Sequence, residues 1–190
     1  MSVKILGKSY DINTKELDLG NKGISQLPES IGKLVNLQYI DLRHNQLTVI
    51  PETIGELVNL QYLDLSFNRL AELPKSIGKL VRLEYLFLTN NQLISLPESI
   101  GKLVKLEYLQ LDNNLLTILP ASILNIKESL ELYVNAYEIN NLLADAEFLI
   151  FTRLSEELTN LPTGLKEIWI KKENKKLNHK LPFGCKIKYF

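Results

Sequence analysis

A single cysteine, Cys185, cannot close a disulfide within the chain, so the fold has to be held by its core and its hydrogen bonds. Beside Gly184 it is expected to be a structural thiol, with no histidine placed by sequence to activate it. Only two histidines, His44 and His179, are present, too few for zinc-type ligand spacing. There is also no Gly-rich phosphate loop, no Cys-x-x-Cys and no Gly-x-Ser-x-Gly. No residue is therefore assigned a catalytic or metal-binding role, no cofactor is expected, and the chain is read as non-enzymatic. No apolar run approaches the length of a membrane span. MSVKILGKSYDINTK at the N-terminus lacks the apolar centre of a secretory signal, and no Asn-x-Ser/Thr acceptor occurs. A cytoplasmic protein in a reducing compartment, without a membrane partner, is the expectation.

Net charge is lacking too, since 22 Lys and Arg balance 22 Asp and Glu. The balance is uneven along the chain. Residues 166–190 hold eight Lys against two Glu, a net +6, so the preceding 165 residues sum to −6.

What the chain has in quantity is self-similarity. LPESIGKLV stands at 27–35 and again, unchanged, at 96–104, with IPETIGELV at 50–58 and LPKSIGKLV at 73–81 between them. Aligned without gaps, the four copies give a period of 23 residues. The pairs Ile40/Leu42, Leu63/Leu65, Leu86/Leu88 and Leu109/Leu111 recur in phase and alternate as a short strand buried on one face does. Asn45, Asn68, Asn91 and Asn114 also recur in phase, where the chain leaves each strand. A buried amide there has to be hydrogen-bonded, and a ladder of Asn side chains serving the backbone of adjacent turns is expected. The Pro-x-x-Ile-Gly-x-Leu segment suits one 3₁₀ or helical turn with an apolar edge. Its Leu and Ile are core, and its Glu, Ser and Lys are expected to face water. Gly32, Gly55, Gly78 and Gly101 allow either tight packing or an unusual dihedral.

This unit resembles the leucine-rich repeat, specifically the intracellular 23-residue class with LP and IG in each turn. The resemblance implies an α/β solenoid, a curved right-handed coil with a parallel β-sheet on the concave face and short 3₁₀ or helical turns on the convex face. One such solenoid is expected over residues 1–190. Residues 1–16 would form an N-terminal hairpin cap, 17–126 the regular repeats, and 127–190 degenerate repeats with a C-terminal cap. Nine strands are expected, near residues 17, 40, 63, 86, 109, 132, 149, 168 and 186. The first turn carries Lys22 at the Asn position, so the ladder is expected to begin at Asn45. LPTGLKEIWI, and twenty residues later LPFGCKIKYF, resemble the FNIP repeats of amoebae and of large DNA viruses that infect them. That resemblance implies a viral setting with a host protein as partner.

Constancy belongs to the frame, so information about a partner has to lie where the copies differ. Four columns flank the buried leucines: Glu16, Tyr39, Tyr62, Tyr85 and Tyr108; Asp18, Asp41, Asp64, Phe87 and Gln110; Gly20, Arg43, Ser66, Thr89 and Asp112; Asn21, His44, Phe67, Asn90 and Asn113. The aromatic members make an apolar strip, and aromatic anchors dominate protein–protein hot spots. The Tyr column can either bind or only stack across strands. Phe67 and Phe87 stand out because their column neighbours are polar. Asp41, Asp64 and Arg43 are expected to give charge selectivity at the rim, and His44 to be a solvated polar residue at a strand end. The function expected is regulatory or scaffolding protein binding through the concave face by a monomer. Two other readings stay open. The Lys-rich end, with Trp169 for stacking, can serve an anion or nucleic acid, although the lysines read better as a solvated turn that discourages edge pairing. A structural or self-associating protein is the third reading.

Overall fold

The computed structural model describes residues 2–116, 119–126, 131–133, 148–151, 167–170 and 186–189. The chain opens with a hairpin. Strands β1 (Ser2–Ile5) and β2 (Lys8–Asp11) pair antiparallel, with Ile5 opposite Lys8. The two residues between them, Leu6 and Gly7, both have positive φ, at 50° and 78°, as a two-residue primed turn requires. Val3 and Ile5 are buried and join the main core.

Five turns of 23-residue register follow. Strands β3 (Glu16–Asp18), β4 (Tyr39–Asp41), β5 (Tyr62–Asp64), β6 (Tyr85–Phe87), β7 (Tyr108–Gln110) and β8 (Glu131–Tyr133) form one parallel sheet in sequence order. Each strand is three residues long with its middle residue in the core, as Ile40 is in β4. Ile40 pairs with Leu63, Leu63 with Leu86, and Leu86 with Leu109. The ladder runs on past the strand ends, with Leu42 N–H donating to Asp64 O at 2.8 Å and Phe67 N–H to Thr89 O at 2.8 Å. Strands β9 (Phe148–Phe151), β10 (Glu167–Ile170) and β11 (Lys186–Tyr189) form a second parallel sheet. The nine expected strands are thus present, split six and three. In the second sheet the register step is 19 residues, Phe148 beside Glu167 beside Lys186. The L-P-x-G phrases, twenty residues apart, do not set that pairing; the slip by one places Ile168 beside Ile187.

The outer side of each turn is a 3₁₀ helix: η1 (Glu29–Lys33), η2 (Glu52–Glu56), η3 (Lys75–Lys79), η4 (Glu98–Lys102) and η5 (Ala121–Asn125). Proline precedes each one, in extended conformation, and its carbonyl accepts the first helical bond, as Pro51 O does from Ile54 N–H at 3.0 Å. Between sheet and 3₁₀ turns lies a continuous core of Leu and Ile, most of it fully buried.

The glycines of the repeat settle in favour of packing. A Cβ on Gly55 would stand 2.6 Å from Ser76 Cβ and 2.7 Å from Ser76 O in the next turn. Among the described glycines only Gly7 and Gly23 have positive φ. The same contact corrects in part the expectation that the Ser of LPESIGKLV faces water, since Ser30 and Ser99 are half-buried. Ser76 is buried, and the hydroxyl oxygens of Thr53 and Ser99 are enclosed without a partner. What stands exposed at every turn is the valine that closes the phrase, Val35, Val58, Val81 and Val104.

Asn45, Asn68, Asn91 and Asn114 are buried. Each side chain ties its own turn to the one before. Asn68 Nδ2 donates to Leu42 O at 2.9 Å and Leu65 O at 3.0 Å, and its Oδ1 accepts Leu47 N–H at 3.0 Å. Asn91 repeats this toward Leu65 O, Leu88 O and Leu70 N–H, and Asn114 toward Leu88 O, Leu111 O and Leu93 N–H. In the first turn Lys22 contributes only its backbone N–H, to Asn45 Oδ1 at 3.1 Å.

Candidate functional site

The sheet positions every outward residue of β3 to β7 on one face, in register from turn to turn. Tyr39 and Tyr62 stack with ring centroids 4.4 Å apart and planes 15° off parallel. The line then bends, because Phe87 sits in the second column. Its ring lies 5.2 Å from Tyr62 and 5.7 Å from Tyr108. Tyr85 lies beside both tyrosines, at 6.1 Å from Tyr62 and 6.3 Å from Tyr108. Five rings therefore form one connected surface. The rings do stack on each other, and Tyr85 is nevertheless exposed while Tyr39, Tyr62, Phe87 and Tyr108 are half-buried.

Burial governs the chemistry of the hydroxyls. Tyr62 is pushed up to about 12, first by desolvation and then by the charge of Asp64. Tyr39 is raised as well, by desolvation and by Asp41. A phenol whose folded value lies above its unfolded value binds its proton more tightly when folded. Its contribution is fully present below pH ~10 and is lost as the pH climbs toward the folded value of about 12. An alkaline titration followed by tyrosinate absorbance should show Tyr62 ionising last, together with loss of circular dichroism. The Tyr62→Phe variant should lose that late step.

A second stack lies at the corner where the chain leaves the sheet. His44 and Phe67 are 4.2 Å apart and 14° from parallel. Both are exposed, Phe67 at 45%. Their backbone is left-handed. Asn21, His44, Phe67, Asn90 and Asn113 occupy one repeat position, and all have φ between 54° and 57°. Asn is the non-glycine residue that tolerates this left-handed region best, histidine follows, and phenylalanine has no such tolerance. Three asparagines in the column were the available signal. Phe67 breaks the local rule and exposes an apolar ring, a combination found where function outweighs stability. Phe67→Asn should therefore raise the unfolding free energy by about 1 kcal/mol, measured by denaturant titration, while removing the ring from the surface.

The acidic residues correct the sequence reading. Asp41 and Asp64 are buried, so they are not free rim charges. Each caps its own turn through the backbone N–H two residues on, Asp41 Oδ1 accepting from Arg43 and Asp64 Oδ1 from Ser66, both at 2.9 Å. Arg43 is exposed, its Nε donating to Asp41 Oδ2 at 3.0 Å. Thr89 and Gln110 are half-buried and touch through their side-chain oxygens at 3.4 Å. Asp112 is half-buried, and burial holds its carboxyl above the usual range. Cys185, His179 and the lysines of 171–180 lie outside the described residues, as does the side chain of Trp169.

Among the described residues no group of three His, Cys, Asp or Glu could hold a metal ion, and no helix is long and apolar enough to cross a membrane. A hollow of about 450 Å³ does exist, on the opposite side among η2, η3 and η4. Its lining is frame: Glu56 pairs with Lys79 at 3.2 Å, and the Glu52 carboxylate accepts the N–H groups of Lys75 and Ser76.

Residues 52–181 match a family model described as a leucine-rich repeat region, and residues 12–70 match a second one described as a leucine rich repeat. Among solved structures, a leucine-rich repeat protein of Leptospira interrogans is 28% identical with a TM-score of 0.63, over 93% of this chain and 50% of its own. InlP of Listeria monocytogenes is 30% identical with a TM-score of 0.49, over 70% of this chain and 33% of its own. The chain thus spans half the length of the first and a third of the second. No curated protein matches it in sequence.

Proposed function

The chain belongs to the leucine-rich repeat family, and on that premise we propose that it is a non-enzymatic recognition module that binds a protein partner through its concave sheet. Repeats of this family generally mediate protein–protein interaction, and proteins built from them are typically without catalytic machinery. The observation that carries the concave assignment is the connected surface of Tyr39, Tyr62, Tyr85, Phe87 and Tyr108. An apolar aromatic strip left open on a sheet has the composition of an interface core. His44 and Phe67 extend it to the corner, and Arg43, Thr89, Gln110 and Asp112 supply a polar margin. Asp41 and Asp64 act from beneath that surface through their field. The role is regulatory or scaffolding, played by a monomer in a reducing, cytoplasmic setting that suits the single cysteine.

Affinity capture from the native cell with wild-type and Phe87→Ala baits tests this reading. A ring in the centre of an interface is worth about 2 kcal/mol or more, so a partner held by the wild type should be lost from Phe87→Ala, with circular dichroism unchanged. Retention of every specific partner by Phe87→Ala and Tyr85→Ala would sink the concave assignment.

A further inference from the structure

Asp41 and Asp64 hold the same place in successive turns and are 4% and 7% exposed, yet only one has its charge neutralised. Asp41 takes Arg43 N–H on one oxygen and Arg43 Nε on the other. Asp64 takes Ser66 N–H on one oxygen, and serine has no cation to return to the other. Among the described residues no ion pair reaches Asp64. A carboxylate held this far from water without a counter-charge is costly. Rings whose faces attract cations share its surroundings in the chain and the register: Tyr62 on the same strand, Phe87 beside it in the next turn, and the exposed Phe67 three residues on. The wider face shares the sign. Glu16, Asp18, Asp41, Asp64, Glu84 and Glu107 lie along β3 to β7 or directly before them, against Lys15 and Arg43.

We propose that the concave face takes an extended basic segment of a protein partner, with one arginine lying against Phe67 and Tyr62 and its guanidinium on Asp64, in the place that Arg43 takes on Asp41 one turn earlier. The inference rests on the concave-face reading above and names the chemistry of its partner. Arginine is favoured over lysine because its planar fork both stacks on rings and bridges a carboxylate. Arg43 does not oppose the incoming cation, since Asp41 already neutralises it. Asp64 and Tyr62 alternate on β5, two residues apart, and so share the face that carries the rings. The chain's own basic end carries lysine only, so it fits the place less well than a separate arginine-bearing partner.

Fluorescence anisotropy titrations of the full chain test this, using a labelled peptide that alternates arginine with leucine and its lysine and glutamate counterparts. The arginine peptide should bind tightest, and its affinity should fall as salt is added. Asp64→Asn, which keeps the acceptor for Ser66 N–H, should weaken it roughly 30-fold. Ser66→Arg should weaken it comparably by filling the place within the chain, with melting temperature retained. Equal binding of the glutamate peptide, or arginine-peptide affinity unmoved by both variants, would overturn the proposal. A native partner lost on Phe87→Ala but indifferent to Asp64→Asn would overturn it while leaving the concave-face reading standing; a partner indifferent to both changes would overturn both. Concentration-dependent size in light scattering, abolished by Asp64→Asn, would put a second copy in place of a separate partner and so overturn it too.

Discussion

Asn68→Ala is expected to lower the unfolding free energy by about 3–5 kcal/mol, and Asn45→Ala combined with it to cost more than the two single changes together. The first figure follows from what the amide serves. Removing it orphans Leu47 N–H, whose acceptor is Asn68 Oδ1, and a buried unpaired donor costs roughly 1–3 kcal/mol. The bonds to Leu42 O and Leu65 O disappear as well, each worth about 1 kcal/mol net, with a longer one to Ser66 O at 3.3 Å, and a cavity is left between the turns. The second expectation follows from a shared acceptor. Leu42 O receives Asn45 Nδ2 at 2.8 Å and Asn68 Nδ2 at 2.9 Å. Either single variant leaves that carbonyl one donor, and only the double variant strips it of both. A double-mutant cycle from denaturant midpoints measures the difference. Strict additivity would show that the rungs act independently, contrary to the geometry. Because a solenoid is held by contacts between neighbours, the transition should also broaden as the turns before and after the lost rungs begin to unfold separately.

The repeat was legible in the sequence because its physics is local. A Leu-x-Leu pair every 23 residues can bury its side chains only if turns stack in register, which fixes strand positions and parallel order at once. The six strands β3 to β8 follow from that, whereas β9 to β11 pair with a step of 19 residues. What escaped the pattern depends on neighbours across turns. Asp41 and Asp64 alternate outward like any strand residue, so period-two reasoning exposes them. Yet both are buried, and the backbone N–H two residues on holds each carboxylate down. Ser76 is polar and by type belongs in water, although the column it meets in the previous turn is invariantly glycine. A glycine facing a small residue in every pair of turns is a signal of close approach, and it could have been read. The left-handed corner could have been read too, from Asn21, Asn90 and Asn113 in one column. Phe67 drew notice for its apolar side chain, while its backbone cost was visible only in the dihedral.

Gly55→Ala should remove about 2–3 kcal/mol, whereas Gly23→Ala should remove only about 1 kcal/mol, although Gly23 is the glycine with the unusual backbone. Gly23 has φ of +67° and its nearest outside atom, Gln46 Nε2, is 4.0 Å from an added Cβ. A methyl group there strains one dihedral and touches nothing. Gly55 has ordinary φ, but its Cβ would meet Ser76 Cβ at 2.6 Å and Ser76 O at 2.7 Å. Side chains can rotate away from such a clash; a carbonyl in a 3₁₀ turn cannot, because η2 and η3 would have to separate along their length. Relief by a second change separates the two contacts. Ser76→Gly in the Gly55→Ala background removes the Cβ and leaves the carbonyl oxygen, so it should restore stability in part and not in full. Full recovery would mean that the serine side chain alone sets the spacing. No recovery would mean that the backbone does, and that glycine at 32, 55, 78 and 101 is required by the distance between turns rather than by what either turn carries.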